Sequence, residues 1–211
     1  MKYHQINRQL FIKNRTKFTA QMKPNSVAIF NSNDIYPVSA DSSLPFAQHR
    51  DIFYLSGVDQ EESILLLFPD APYENQREML FLKETSEHIA IWEGEKLTKD
   101  RAFEVSGIKT VHWLQDFEKV LFELMTYSDT IYINTNEHYR AKVETETREA
   151  RFVKWWAAKY PAHTVAKSNP ILQRIRSVKE TEELDLIQNA CNITEKGFRR
   201  LLSFVKPNVM E

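Results

Sequence analysis

The sequence predicts an α/β chain, with one domain of about 170 residues followed by the opening of a second. Three observations carry that expectation. Short apolar runs of strand length fill the first half, "SVAIFN" and "ESILLLF" being the clearest. From about Leu97 the apolar spacing lengthens to that of amphipathic helices. From Lys179 onward apolar residues recur near helical period, and no later segment follows to close over that face.

Residues 5–22 set Ile6, Leu10, Phe11, Phe18 and Met22 among Lys, Arg and Gln, the pattern of an amphipathic helix stopped by Pro24. Residues 26–31 read as a buried strand. A polar, turn-forming loop follows at 39–49, and "DIFYLSG" (51–57) has the composition of a strand closed by Gly57. Residues 62–68 are too apolar for a half-exposed strand, so cover on both faces is expected. After a turn at 69–75, "EMLFLK" and "HIAIW" (88–92) read as successive strands of a meander, the second closed by Glu93 and Gly94.

Helices are expected over 99–105 and 114–125, the latter with Val120, Leu121 and Leu124 on its core face. A strand at 130–134, a charged helix over 137–158 and a short strand at 162–166 follow. The final helix lines up Leu184, Ile187, Cys191, Phe198, Leu201 and Val205, with Ser177 and Glu180 as a capping box and Pro207 beyond its end. On this reading residues 1–172 form the first domain, and 173–211 are the linker and first helix of a truncated second one.

Composition excludes several functions. A net charge of -1 leaves no basic footprint for nucleic acid. The longest apolar run, "ILLLF", falls far short of the roughly 20 residues that span a bilayer, so no membrane partner is expected. The opening stretch is charged throughout, and no secretory signal is expected. Cys191 is the sole cysteine, which rules out an internal disulfide or a thiolate cluster and makes the cytoplasm the expected compartment.

Catalytic patterns are missing as well. His4, His49, His88, His112, His138 and His163 show no pair at metal-ligand spacing and no H-E-x-x-H. Four glycines make neither a P-loop nor a G-x-G-x-x-G, and there is no G-x-S-x-G. The alternating Glu and Arg of residues 143–150 read as a solvated, salt-bridged helix face. No complete catalytic set is present on these residues. Two positions carry a choice of roles. Asp41 is an Asx-turn residue or a carboxylate offered to a ligand's cation, and Trp92 is a core tryptophan or an aromatic anchor at an interface.

"SADSSLPFAQHRDIFYLSG" resembles the opening segment of aminopeptidase P, the Xaa-Pro aminopeptidases, at Ser39, Ala40, Asp41, Pro45, Phe46, Gln48, Asp51, Tyr54, Leu55 and Gly57. "SILLLF" is similar to that family's next strand, "AIWEGEKL" to its Ile-Trp-x-Gly-x-x-Leu element, and "IRSVKETEELDLIQNACNITEKGF" to the linker and first helix of its catalytic domain. Ala47 stands where relatives often carry Arg, and Ile52 where Phe is common.

The resemblance implies a creatinase-type, ribonuclease H-like N-terminal domain: an α/β fold with a mixed β-sheet flanked by helices. In the family a pita-bread metallopeptidase domain follows. There two divalent ions, usually manganese, are held by two Asp, one His and two Glu, and activate a hydroxide that attacks the bond before proline. By the same resemblance this chain is a non-catalytic, substrate-shaping and oligomerisation domain. Its partners would be the catalytic domain of the same protein, further copies in a dimer or tetramer, and a proline-containing peptide. Asp41 would face the substrate or a neighbouring subunit, and Trp92 would wall the cleft. A prolidase or creatinase sibling and a stand-alone binding module are the alternatives.

Overall fold

A computed structural model describes residues 5–86, 88, 90–91, 94–138, 140 and 144–210. The chain divides into two compact units, Met1–Ile175 and Arg176–Glu211. In chain order the first contains α1 (Arg8–Thr19), β1 (Ser26–Asn31), β2 (Pro37–Ser39), β3 (Ser42–Ser43), α2 (Arg50–Ser56), β4 (Ile64–Leu67) and β5 (Glu78–Leu82). Then come α3 (Lys99–Ser106), β6 (Thr110–Trp113), α4 (Phe117–Met125), β7 (Thr130–Ile133), α5 (Arg148–Lys159), β8 (Thr164–Lys167) and α6 (Asn169–Ser177), whose last turn crosses the unit boundary.

Six strands form one mixed sheet in the order β6-β5-β4-β1-β7-β8, and β2 pairs with β3 in a separate hairpin. β1 is antiparallel to β4 and parallel to β7; β4 is antiparallel to β5; the remaining pairs are parallel. Only β4 therefore opposes the other five. β1 sits centrally because all six of its residues are buried, as its uninterrupted apolar run requires.

The alternation of side chains along the sheet builds two cores. Val27, Ile29, Leu66 and Phe81 pack with Leu121 and Leu124 of α4 and Phe152 and Trp156 of α5. Ala28, Phe30, Leu65 and Leu67 face Phe18 of α1, Ile52 and Leu55 of α2, Ala102 of α3 and Leu172 of α6. The result is the mixed sheet flanked by helices that the resemblance implies.

α2 and α3 end on one repeated device. Ser56 and Ser106 each donate Oγ to the carbonyl four residues back (Ile52 and Ala102, both 2.7 Å) and accept from the amide two residues on (Val58 and Ile108, both 3.1 Å). Gly57 and Gly107 follow at φ 71° and 74°, closing both helices in the left-handed conformation. Fully buried Arg15 binds both ends, donating Nη1 to Leu55 O at 2.9 Å and to Ser106 O at 3.0 Å, while its Nε meets Glu78 at 3.0 Å. One guanidinium thus supplies the positive charge that two helix C-termini favour.

Several elements differ from expectation. Residues 51–57 are not a strand: α2 buries Ile52, Leu55 and Ser56 at helical spacing, begins at the N-cap His49 and ends at Gly57. Aromatic and β-branched residues mimic a strand here, whereas the burial has a helical period. Within 88–92, His88, Ala90 and Ile91 are helical, with Ala90 N bonded to Ser86 O and Gly94 N to Ala90 O. A short apolar run does not separate the two states by itself. The charged helix begins at Arg148, capped by Thr147, and none of the described residues of 137–147 is helical. β6 and α6 were not expected.

In the second unit α7 (Thr181–Phe204) starts with a capping box made by Glu180 and Glu183, in place of Ser177 and Glu180. None of its residues is buried, and Leu184, Ile187, Phe198 and Leu201 stand exposed.

Candidate functional site

The parallel strand β1 ends on Asn31 and β7 is followed directly by Asn134, and the chain leaves each at the carboxyl end of the sheet, where open α/β folds place their sites. Asn31 Nδ2 donates to Glu149 Oε2 at 2.9 Å. Asn134 bonds through three groups: its amide donates to Glu149 Oε1 (3.2 Å), its Nδ2 to Asp51 Oδ2 (3.0 Å), and its Oδ1 accepts from Ser168 Oγ (2.8 Å). One carboxylate from the first turn of α5 therefore joins the ends of two neighbouring strands. Burial raises the Glu149 carboxyl to about 7, against the opposing pull of the Asn31 and Asn134 donors and of the Arg148 charge. Beside it, Arg148 Nη1 donates to Ser32 Oγ at 3.1 Å, and the same oxygen accepts from Ser63 N at 3.1 Å.

The segment 39–57 is joined to this cluster through Asp51. The hairpin β2–β3 projects from it, exposed at every residue, and turns at Ala40, which takes φ 49°. Asp41 lies at that exposed turn. Asn33 Nδ2 donates to Ala47 O at 2.9 Å and closes the base of the loop. Gln48 follows, its Nε2 donating to Val58 O (3.1 Å), Gln60 O (2.9 Å) and Ser63 Oγ (3.3 Å) while its Oε1 accepts from His49 N (2.8 Å). Four of the ten residues that carry the resemblance therefore have structural roles. Gln48 and Asp51 tie the loop down, Leu55 gives its carbonyl to Arg15, and Gly57 closes a helix within reach of the Phe11 ring.

Trp92, the other candidate, lies outside the described residues, and so do Glu93 and Val143, the first residue of the acidic run. The structure does place the ends of that region. The chain leaves β5 after Leu82 at the same carboxyl end, and returns where Leu97 N donates to Gln60 Oε1 at 2.7 Å and Lys96 pairs with Glu61. The acidic run is also not simply a solvated face, because Arg148 and Glu149 turn into the cluster.

The Ser32 hydroxyl meets an arginine and an amide, not a base. Among the described residues, no group of three or more His, Cys, Asp or Glu side chains could hold a metal ion. No described helix is long and apolar enough to cross a membrane. The cluster was missed in the sequence because its partners are far apart; its one local signal is a polar residue ending each buried run, Asn31 and Asn134.

Comparison with known proteins agrees with this architecture. The family described as "Aminopeptidase P, N-terminal domain" matches residues 11–132, more than half of the chain. The Xaa-Pro aminopeptidase of Escherichia coli K12 is 26% identical over 208 residues, covering 98% of this chain and 47% of that protein. The Haemophilus influenzae enzyme of the same name is 23% identical over 209 residues, 98% of this chain and 45% of its own. Among solved structures, the low-pH form of E. coli aminopeptidase P superposes with a TM-score of 0.82 at 24% identity, over 98% of this chain and 47% of that one. The chain thus spans just under half the length of these relatives. By fold and by sequence, it belongs to the aminopeptidase P N-terminal domain family.

Proposed function

We propose that this chain is the non-catalytic, substrate-shaping and assembly half of a manganese-dependent Xaa-Pro aminopeptidase, an enzyme that removes the residue preceding proline at a peptide's N-terminus. The observation that carries the reading is the hairpin. Ile35, Tyr36, Val38 and Leu44 are exposed around Asp41, yet the two legs of the loop are tied to each other by Asn33 and Ala47, and Gln48 ties the second leg to Val58. A rigidly based, exposed loop with an acidic turn suits contact with something outside this unit.

On this reading the Asp41 carboxylate faces the peptide's ammonium group or a neighbouring subunit, and Trp92 helps wall the same cleft. The exposed apolar side of α7 belongs against the catalytic domain of the same protein. The metal ions would be held there, by none of the residues described here. A dimer or tetramer brings the hairpin to a second active site. A single cysteine fits a cytoplasmic enzyme.

The test uses the protein extended through its downstream reading frame. Asp41→Asn should lower kcat/KM for an Xaa-Pro-Pro peptide roughly tenfold, mostly through KM, because one exposed ionic contact is lost. Unchanged KM and kcat would remove Asp41 from the cleft.

A further inference from the structure

The bend between α2 and β4, residues 58–63, touches two separate excursions of the chain. One is the hairpin loop. Gln48, directly after it, donates Nε2 to Val58 O, Gln60 O and Ser63 Oγ. The other is the segment between β5 and α3, which carries Trp92. It ends where Gln60 Oε1 accepts Leu97 N at 2.7 Å and where Glu61 pairs with Lys96. These contacts are sheltered: Gln60 is 5% exposed, and the paired side chains of Glu61 and Lys96 are 9% and 11% exposed. Removing one partner of a hydrogen bond or ion pair this sheltered leaves the other buried and unsatisfied. Glu62 holds the bend at φ 50°, a conformation that fixes the directions of the flanking carbonyls.

We infer that this bend is a shared anchor that sets the Asp41 hairpin and the Lys96–Leu97 end of the β5–α3 segment in one fixed relation, with Gln48 and Gln60 as its positioning residues. The proposal rests on the reading that both excursions face a substrate cleft, but the anchoring itself is a property of this chain alone. Moving one excursion must shift the bend. The other follows because both bond Gln60, one through its backbone carbonyl and the other through its side-chain Oε1, and such coupling is reciprocal.

Amide hydrogen exchange on the 211-residue chain tests it by reading each side after perturbing the other. Gln48→Met removes the hairpin's hold without touching Leu97, and should speed exchange at the Leu97 amide about tenfold. Lys96→Met removes the opposite hold, and should speed exchange at the His49 amide, bonded to Gln48 Oε1, by a similar factor. Gln60→Glu keeps the acceptor for Leu97 N and should leave the Leu97 amide protected. Ile29 in β1 serves as the reference for global loosening. If each substitution affects only its own side, or if Ile29 accelerates as much as the distant loop, the shared anchor is wrong. Exchange needs no catalysis, so this outcome is independent of whether the extended protein cleaves peptides.

Discussion

Glu149 ties β1 to β7, and its ionisation offers a quantitative check on that geometry. The folded carboxyl titrates at about 7 where an ordinary one titrates at 4.5, because burial outweighs the Asn31 and Asn134 donors and the Arg148 charge. A raised acid holds a proton in the folded state that the unfolded chain has already released. Stability from this group therefore falls as pH rises from 4.5 to about 7, and stays low above that. At about 1.4 kcal/mol per pKa unit, the full cost above pH 7 is on the order of 3 kcal/mol. Glu149→Gln should abolish that slope. Its Oε1 can still accept the Asn134 amide, and a flipped Asn31 side chain can offer Oδ1 to the new Nε2. Urea unfolding followed by the fluorescence of Trp155 and Trp156, on the same helix, would compare the two proteins at pH 5 and 8. The variant should match the parent at pH 5 and exceed it by up to about 3 kcal/mol at pH 8. Equal slopes in both proteins, or a variant weakened at pH 8, would refute the claim that burial controls this carboxyl.

Arg15→Met should cost about 3–5 kcal/mol, since it strips a buried charge from Glu78 and leaves the Leu55 and Ser106 carbonyls without their donor; a loss under about 1 kcal/mol in chemical denaturation would show that the two helix ends do not need it. Gly57→Ala and Gly94→Ala form a contrasting pair. Both glycines have positive φ, but a Cβ at Gly57 would stand 2.3 Å from Phe11 Cε2, whereas nothing lies within 4 Å at Gly94. The first should lower the melting temperature by well over twice as much as the second, which bears only the roughly 1 kcal/mol of left-handed strain.

What the sequence revealed tracks the range of the interactions. β1 and β4 were legible because their apolar runs are continuous and their burial two-sided, so composition alone decides them. α2 was misread because Phe53 and Tyr54 favour strands, while the choice was made by Ile52 and Leu55 packing under the sheet. The edge strand β6 escaped notice because none of its four residues is fully buried. The polar cluster could not be assembled from the sequence: Asn31 and Glu149 meet across 118 residues, and nothing local distinguishes Glu149 from its neighbours Glu146 and Glu144. Asp41 lies at the exposed turn beside Ala40, whereas its role toward a substrate depends on surfaces beyond this unit.

The central claim is that this chain supports a peptidase without performing its chemistry. The most direct measurement is release of the N-terminal residue from an Xaa-Pro-Pro peptide in the presence of manganese, by the 211-residue chain and by a version extended through the downstream reading frame. Cleavage by the extended protein alone is the predicted result. Cleavage by the 211-residue chain itself would contradict the account.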